Sequence, residues 1–218
     1  MTGQVHPLKL ASLLLQYPSD ELRDAAAAAR ELEIAPSRGR QAGELRAFCG
    51  WYAATPLAEL QRLYVEAFDF TRQCSLHLTY HVHGDRRQRG VAMLALKASY
   101  RGAGFEPPGT ELPDYLPLML EFASLAPGGT EVLEDNRVAI ELIRAGLRRE
   151  SSPFAPLLDV VVAALGRLSS QKVARIRRLA AEGPPREEVG LEPFAPPDVM
   201  PTGDPGAARP MVGGWETH

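Results

Sequence analysis

The segment ELPDYLPLMLEFASLA, residues 111–126, predicts a helix whose side chains are apolar on nearly every side from Tyr115 to Leu125. Such a helix is buried, or it turns one face to the core and another to a partner. We place Asp114 at the N-cap, so that Pro117 falls at the third helical position, where its missing N–H costs nothing.

One carboxylate, Glu121, falls within this apolar surface. Buried carboxylates are rare unless they are paired. Two interpretations therefore stand. In the first, Glu121 pairs with an arginine of this chain, for which Arg86 and Arg89 are candidates. In the second, Asp114 and Glu121 flank an apolar groove that receives a basic amphipathic peptide.

Apolar residues recur at helical spacing along most of the remaining chain, and no window alternates with a period of two between hairpin turns. This pattern predicts an all-α bundle that forms a single domain over residues 1–182. After it, residues 183–218 contain 8 prolines and 6 glycines, a composition that predicts a flexible tail. Predicted helices cover residues 8–15, 20–32, 44–51, 56–68, 115–126, 132–148 and 155–182, and another begins at Asp85 and stops by Gly102.

Composition and charge disfavour several classes of protein. A formal net charge of −3 argues against a general polyanion binder. No window reaches the roughly 18 apolar residues of a membrane span, and the N-terminus lacks the basic region and apolar run of a signal peptide. Cys49 and Cys74 are too few for a secreted disulfide framework, so we expect reduced thiols. Together these features predict a cytoplasmic protein.

The segment FDFTRQCSLHLTYHVHGDRRQRG, residues 68–90, contains most of the residues suited to chemistry. His77 and His81 are four residues apart, which on a helix places both imidazoles on one face, and Cys74 and His83 are near in sequence. However, a zinc site needs three or four ligands, and H-E-x-x-H and paired C-x-x-C motifs are absent. We expect these histidines to pack or to cap helix ends.

Sequence fingerprints of hydrolases, P-loop proteins and dinucleotide-binding proteins are also absent. We therefore predict no enzymatic activity, no metal and no cofactor. A metal-dependent enzyme that uses the histidines and Cys74 is kept as the alternative.

Arg86, Arg87 and Arg89 form a basic cluster in the first turn of a predicted helix, where they oppose the helix dipole. Asp85, Asp69 and Glu66 can compensate these charges within the chain, and a phosphate or an acidic partner can do so from outside. A regulatory adaptor that binds nucleic acid or an acidic protein through the His/Arg cluster, residues 77–89, is thus a second alternative. Our preferred interpretation includes no nucleic acid.

Three runs of residues together resemble a known family. They are F-D-F-T-R from Phe68, H-G-D-R-R-x-R-G from His83 and E-L-P-D-Y-L-P-L-x-L-E-F from Glu111. With LKLASLLLQYPSDEL near the start, residues 8–180 resemble the nitrate reductase molybdenum cofactor assembly chaperones, which are all-helical. The resemblance implies a cytoplasmic, non-enzymatic chaperone. Such a protein binds the apo catalytic subunit of respiratory nitrate reductase, chiefly at its N-terminal leader, and keeps it competent for cofactor insertion before it docks to the membrane subunit.

The resemblance also places the family's proline-aspartate signature on Pro113 and Asp114. Related family members recognise twin-arginine leaders, and acidic groups beside an apolar groove suit such a cationic target. We expect apolar walls to provide affinity, while carboxylates set orientation and association rate. The predicted peptide-binding residues are Glu66, Asp69, Arg86, Arg89, Pro113, Asp114, Tyr115, Pro117, Glu121 and Phe122.

Overall fold

The computed structural model describes residues 4–34, 40–84 and 87–182. These residues confirm the prediction of an all-α fold. The only extended pairing among their named strands joins β1 (Gln4–Val5) and β2 (Glu33–Ile34), which are two residues long and parallel.

Eleven α-helices lie in the described residues. They are α1 (Pro7–Leu14), α2 (Asp20–Ala29), α3 (Arg40–Ala54), α4 (Leu57–Tyr64), α5 (Leu78–His83), α6 (Arg87–Gly102), α7 (Leu116–Leu125), α8 (Gly129–Asp135), α9 (Arg137–Arg149), α10 (Ala155–Ala164) and α11 (Ser170–Glu182). A π-helical turn, Val65–Asp69, continues α4, and a 3-10 turn, Arg72–Cys74, follows it. The predicted tail lies outside the described residues, and so does the predicted helix start at Asp85. The domain boundary after residue 182 therefore stays a prediction.

The apolar helix α7 is buried, as its sequence predicts, and it packs most extensively on α1 and α8. Its buried residues are Leu116, Pro117, Leu118, Met119, Leu120, Phe122 and Ala123. From α1 and the residue after it, Leu8, Leu10, Leu14 and Leu15 are each at most 2% exposed. Because a fully buried leucine stabilises the fold by about 1.5–3 kcal/mol, the contact between α1 and α7 is a major part of the core.

The predicted N-cap of α7 is wrong by one residue. Tyr115, with extended backbone angles, occupies that position, and Pro117 lies in the first turn at the second helical residue. The proline is tolerated there for the expected reason, since the first N–H groups of a helix have no partner within it. Asp114 is therefore not the cap, and its carboxylate has other partners.

Two predicted long helices are interrupted. The segment 132–148 divides at Asn136, whose side-chain amide donates a hydrogen bond of 2.9 Å to the carbonyl of Val132. The segment 155–182 divides after Leu165, which is extended. Asn136 satisfies a helix-terminal carbonyl locally, so a break there costs little. The spacing of apolar residues in the sequence does not by itself predict either break.

An aromatic cluster around Phe154 holds α3, α4 and the π-helical turn together. The Phe154 ring centroid lies 5.2 Å from that of Phe68 and 6.0 Å from those of Phe48, Trp51 and Tyr64. Tilted and edge-to-face pairs of this kind contribute about 0.5–1.5 kcal/mol each beyond their burial. The cluster fixes the π-helical turn, which carries part of the candidate site.

Cys49 and Cys74 are both buried, and neither forms a disulfide. Cys74 packs against α9 at Gly146, where a Cβ atom would lie only 2.8 Å from the Cys74 sulfur. Within residues 4–34, 40–84 and 87–182, none of the helices combines the length and the hydropathy of a transmembrane span.

Candidate functional site

The proline-aspartate signature is held by backbone hydrogen bonds to the segment before α5. The Leu78 N–H donates to the Asp114 carbonyl at 2.9 Å, and the Leu116 N–H donates to the Leu76 carbonyl at 2.8 Å. From α6, the buried Tyr100 hydroxyl donates to the carbonyl before Asp114 at 2.6 Å. The two backbone bonds form an antiparallel bridge between His77 and Tyr115, and the Tyr100 bond holds the chain on the other side of Asp114.

The Asp114 side chain is completely buried, and three side chains lie within hydrogen-bond distance of its carboxylate. The Thr79 hydroxyl donates to it at 2.5 Å, His77 Nδ1 lies at 3.3 Å, and the Arg89 guanidinium donates at 3.5 Å. Burial alone would raise the pKa of Asp114, but the hydrogen bonds of His77 and Thr79 and the charge of Arg89 lower it below its ordinary value. The carboxylate is therefore ionised and engaged inside the fold. Its role here is to position His77 and the backbone that leads to Tyr115.

Glu121 is paired, as the first interpretation required, but the partner is Lys9 of α1 and not an arginine. The candidate Arg89 lies instead with Asp114, and Arg86 is outside the described residues. The Glu121 side chain is 33% exposed, so the ion pair lies at the edge of the contact between α1 and α7. Lys9 is 112 residues away in sequence, which explains why spacing did not indicate it.

Tyr115 is half-buried and links the signature to the aromatic side chains of α4. Its hydroxyl lies 3.3 Å from that of Tyr64, which itself donates to the Leu15 carbonyl at 3.1 Å. Because the single Tyr64 proton is used in that bond, Tyr115 is the donor between the two hydroxyls. The Tyr115 ring also lies 5.5 Å from that of His77, and Tyr17 meets Tyr64 edge to face at 5.5 Å.

Two exposed carboxylates lie near this pair of tyrosines. Burial raises the pKa of Tyr64 and of Tyr115, and the charge of Asp69 raises both further. Glu111 acts on Tyr115 in the same direction. Among the described residues, neither Asp69 nor Glu111 has a side-chain hydrogen bond or ion pair. Glu66, one turn before Asp69, is exposed and already paired with Arg62.

Three large apolar side chains are exposed beside these carboxylates. Phe70 is 79% exposed, Tyr17 is 52% exposed and Leu112 is 44% exposed. Phe70 directly follows Asp69, and the Leu112 carbonyl accepts the Tyr115 N–H at 3.1 Å. We call this set the Tyr115 surface: Tyr17, Asp69, Phe70, Glu111, Leu112 and Tyr115.

The predicted site residues thus divide into exposed and buried groups. Asp69 and Tyr115 reach the surface, whereas Pro113 and Asp114 lie beneath it with Arg89. Pro117 and Phe122 belong to the core, where the Phe122 ring lies 4.8 Å from that of Tyr100 and 5.3 Å from that of Phe105. The residues of the Tyr115 surface that sequence reasoning missed are Tyr17, Phe70, Glu111 and Leu112. Phe70 and Leu112 lie within the matched runs, but no pattern marks an apolar residue in such a run as exposed.

The histidines mostly pack, as expected. His81 is buried with Nε2 only 2.7 Å from the Ser75 carbonyl, which requires a proton on that nitrogen, and burial lowers its pKa. Burial also lowers the pKa of His83. His77 lies at the N-cap of α5, but its side chain bonds to Asp114 and not to the helix N–H groups.

Burial raises the pKa of the Cys74 thiol to about 11, which disfavours the thiolate needed for metal binding or nucleophilic attack. Across residues 4–34, 40–84 and 87–182, no three or more His, Cys, Asp or Glu side chains are grouped so that they could hold a metal ion.

Comparison with known proteins gives consistent results. The family model described as "Nitrate reductase delta subunit" matches residues 31–159. The chain is 37% identical over 158 residues to a probable nitrate reductase molybdenum cofactor assembly chaperone, NarJ, of Bacillus subtilis, covering 71% of this chain and 85% of that protein. It is 35% identical to the probable chaperone NarW of Escherichia coli, over 77% of this chain and 72% of NarW. The chaperone NarJ of Escherichia coli is also 35% identical, over 77% of this chain and 73% of NarJ.

Proposed function

Because the chain belongs to the nitrate reductase delta subunit family, we propose that it is an assembly chaperone for a nitrate reductase and not an enzyme. Its client is the apo catalytic subunit, which it keeps competent for molybdenum cofactor insertion before that subunit docks to the membrane subunit. This takes place in the cytoplasm. The names of three relatives support the chaperone role, and they say nothing of how the client is bound.

We further propose that the N-terminal leader of the client binds to the Tyr115 surface. The observation that carries this proposal is the exposure of Phe70, Tyr17 and Leu112 beside two carboxylates without partners among the described residues. Exposed apolar side chains with a polar margin are typical of protein interaction sites. Asp69 and Glu111 suit a cationic segment, since complementary charges raise the association rate and fix orientation.

The other predicted residues have supporting roles in this proposal. Asp114 and Arg89 hold the signature in place, so they act on the leader through Tyr115 and His77. Glu66 and Glu121 are already neutralised by Arg62 and Lys9, so they contribute less to binding than Asp69. Pro113, Pro117 and Phe122 shape the backbone and the core beneath the surface, and Arg86 lies outside the described residues.

Calorimetric titration of the full chain with a synthetic peptide of the catalytic subunit's leader tests the proposal. We expect saturable heat with a Kd in the micromolar range. A matched peptide with every Lys and Arg replaced by Gln should bind at least several-fold more weakly. Absence of heat and of any shift in Tm at high micromolar peptide would refute leader binding. Equal binding of the two peptides would refute the role of the carboxylates.

A test in cells addresses the chaperone function separately. Deletion of the gene should leave the catalytic subunit synthesised but low in molybdenum and in nitrate reductase activity, and the intact gene should restore both. Normal molybdenum content of the subunit in the deletion strain would contradict the assembly role, whatever the peptide titration gives.

A further inference from the structure

The helix α6 is packed on one side only. Its inward residues recur at spacings of three and four, and they are Arg89, Ala92, Met93, Leu96 and Tyr100. Of these, Leu96 and Tyr100 are buried, and the Tyr100 hydroxyl holds the signature backbone. The apolar residues on the inner face of α6 are therefore accounted for by their contact with the rest of the bundle.

The outer face of α6 is apolar as well. Val91 is 65% exposed and Leu94 is 68% exposed, and the neighbouring Ala95 and Ala98 are also exposed. With spacings of three and four residues, these side chains share one face of the helix. We call them the α6 stripe: Val91, Leu94, Ala95 and Ala98. An unpartnered apolar stripe at helical spacing is the pattern of a helix that packs against another element.

The charges on α6 have one sign. The helix carries Arg87, Arg89, Lys97 and Arg101 and no carboxylate. Lys97 and Arg101, one turn apart beside the stripe, line a cleft of about 260 Å³. Glu106 and Glu111 line the same cleft, yet no ion pair joins them to the two cations among the described residues. A partner lying on the stripe therefore meets cations along one edge that form no ion pair within residues 4–34, 40–84 and 87–182.

We propose that the α6 stripe is a docking surface for an amphipathic helix of the catalytic subunit, outside its leader, with carboxylates along one edge. The identity of this partner rests on the proposed function; the surface and its chemistry do not. Leu94 and Val91 pack into the partner's apolar stripe, and Lys97 and Arg101 pair with its carboxylates. The stripe shares no residue with the Tyr115 surface, although Glu111 of that surface lines the cleft that Lys97 and Arg101 also line.

The side chains of the stripe favour a helix over other occupants. Ala95 and Ala98 leave grooves between larger side chains, into which the ridges of a second helix fit at close range. A helix that binds a lipid surface carries bulky Trp, Phe or Leu side chains along its apolar face, whereas this stripe has a single leucine. A second copy of this chain docked through its own α6 would place cations against cations, because α6 has no carboxylate that could pair with them.

Binding of the full chain to the purified apo catalytic subunit tests the proposal. Leu94→Glu should weaken this binding at least tenfold, and so should the double change Lys97→Glu with Arg101→Glu. The matched control is Leu125→Glu, since Leu125 is a leucine with 62% exposure at the end of α7. Ala98→Glu with Ala28→Glu as its control forms a second pair, because both alanines are exposed and helical. All four stripe and control sites are at the surface, so the fold should be retained, as circular dichroism and Tm will show.

Leu94→Glu and Ala98→Glu should bind the synthetic leader peptide as the unchanged chain does, because neither residue belongs to the Tyr115 surface or to the cleft that contains Glu111. This separates the two proposals. If the unchanged chain does not bind the leader peptide, leader recognition is refuted, and binding to the apo subunit still tests the stripe. A photo-crosslinker at Ala98 should attach to a segment of the subunit that lies outside the leader and carries carboxylates at helical spacing.

Three results would overturn the proposal. The first is equal affinity of Leu94→Glu and Leu125→Glu for the apo subunit. The second is a dimer in sedimentation velocity that Leu94→Glu dissociates, which would assign the stripe to a second copy. The third is binding to vesicles with anionic lipid that Leu94→Glu abolishes, which would assign it to a membrane surface.

Discussion

Asp114 and Asp69 are two aspartates in the matched runs, and the structure gives them opposite surroundings. Asp114 is fully buried and bonded to Thr79, His77 and Arg89, whereas Asp69 is exposed and has no side-chain partner among the described residues. A carboxylate that is fully engaged inside the fold cannot also neutralise an incoming peptide. The comparison teaches that a signature residue can support an exposed surface, here the proposed leader site, without being part of it.

Replacing Asp114 should have the largest effect. Asp114→Ala removes the buried carboxylate that accepts hydrogen bonds from Arg89 and Thr79 and lies against His77. Loss of one partner from a buried charged group typically costs about 3–5 kcal/mol. We expect a lower free energy of unfolding by about 3 kcal/mol or more, measured by urea denaturation, and leader binding that falls with the folded fraction. Unchanged stability combined with lost leader binding would reverse the assignment and make Asp114 a contact residue.

Phe70→Ala should have the second largest effect, and this effect should be on leader binding and not on stability. An exposed aromatic anchor of an interface contributes about 1–2 kcal/mol to binding, so the leader Kd should rise roughly 5- to 30-fold. Because the side chain is mostly in solvent, the free energy of unfolding should change by no more than about 0.5 kcal/mol. Leu125→Ala serves as the control, since it removes another exposed apolar side chain from a different region.

The fold was predictable from the sequence to a large extent, and the site only in part. The all-round apolar pattern of residues 116–125 is sufficient to predict a buried α7, since few other arrangements hide so many leucines. The break at Asn136 and the pairing of Glu121 with Lys9 were not predictable, because the first depends on a local hydrogen bond and the second on a contact 112 residues apart. That Asp114 is buried and Asp69 is exposed was likewise not predictable, because the difference results from tertiary packing.

The pH dependence of stability should distinguish the two aspartates further. The folded-state pKa of Asp114 is lowered, so its ionised form stabilises the fold above the unfolded pKa of about 3.9. That stabilisation is lost as the pH falls from there through the folded pKa. Urea unfolding between neutral pH and about pH 3 should therefore show a smaller loss of stability for Asp114→Asn than for the unchanged chain. Parallel pH profiles of the two proteins would contradict the lowered pKa.

Asp69→Asn should have the smallest effect, and one confined to binding kinetics. An exposed charge at the margin of an interface changes the association rate more than the dissociation rate, with an effect of about 1 kcal/mol or less. We expect slower leader association in stopped-flow measurements and a weaker dependence of that rate on salt. Asp24→Asn is the matched control, because Asp24 is an exposed aspartate on α2. If Asp69→Asn acted on dissociation alone, Asp69 would make a close, desolvated contact with the leader. Both aspartates would then be buried when the leader is bound, Asp114 by groups of this chain and Asp69 by the leader.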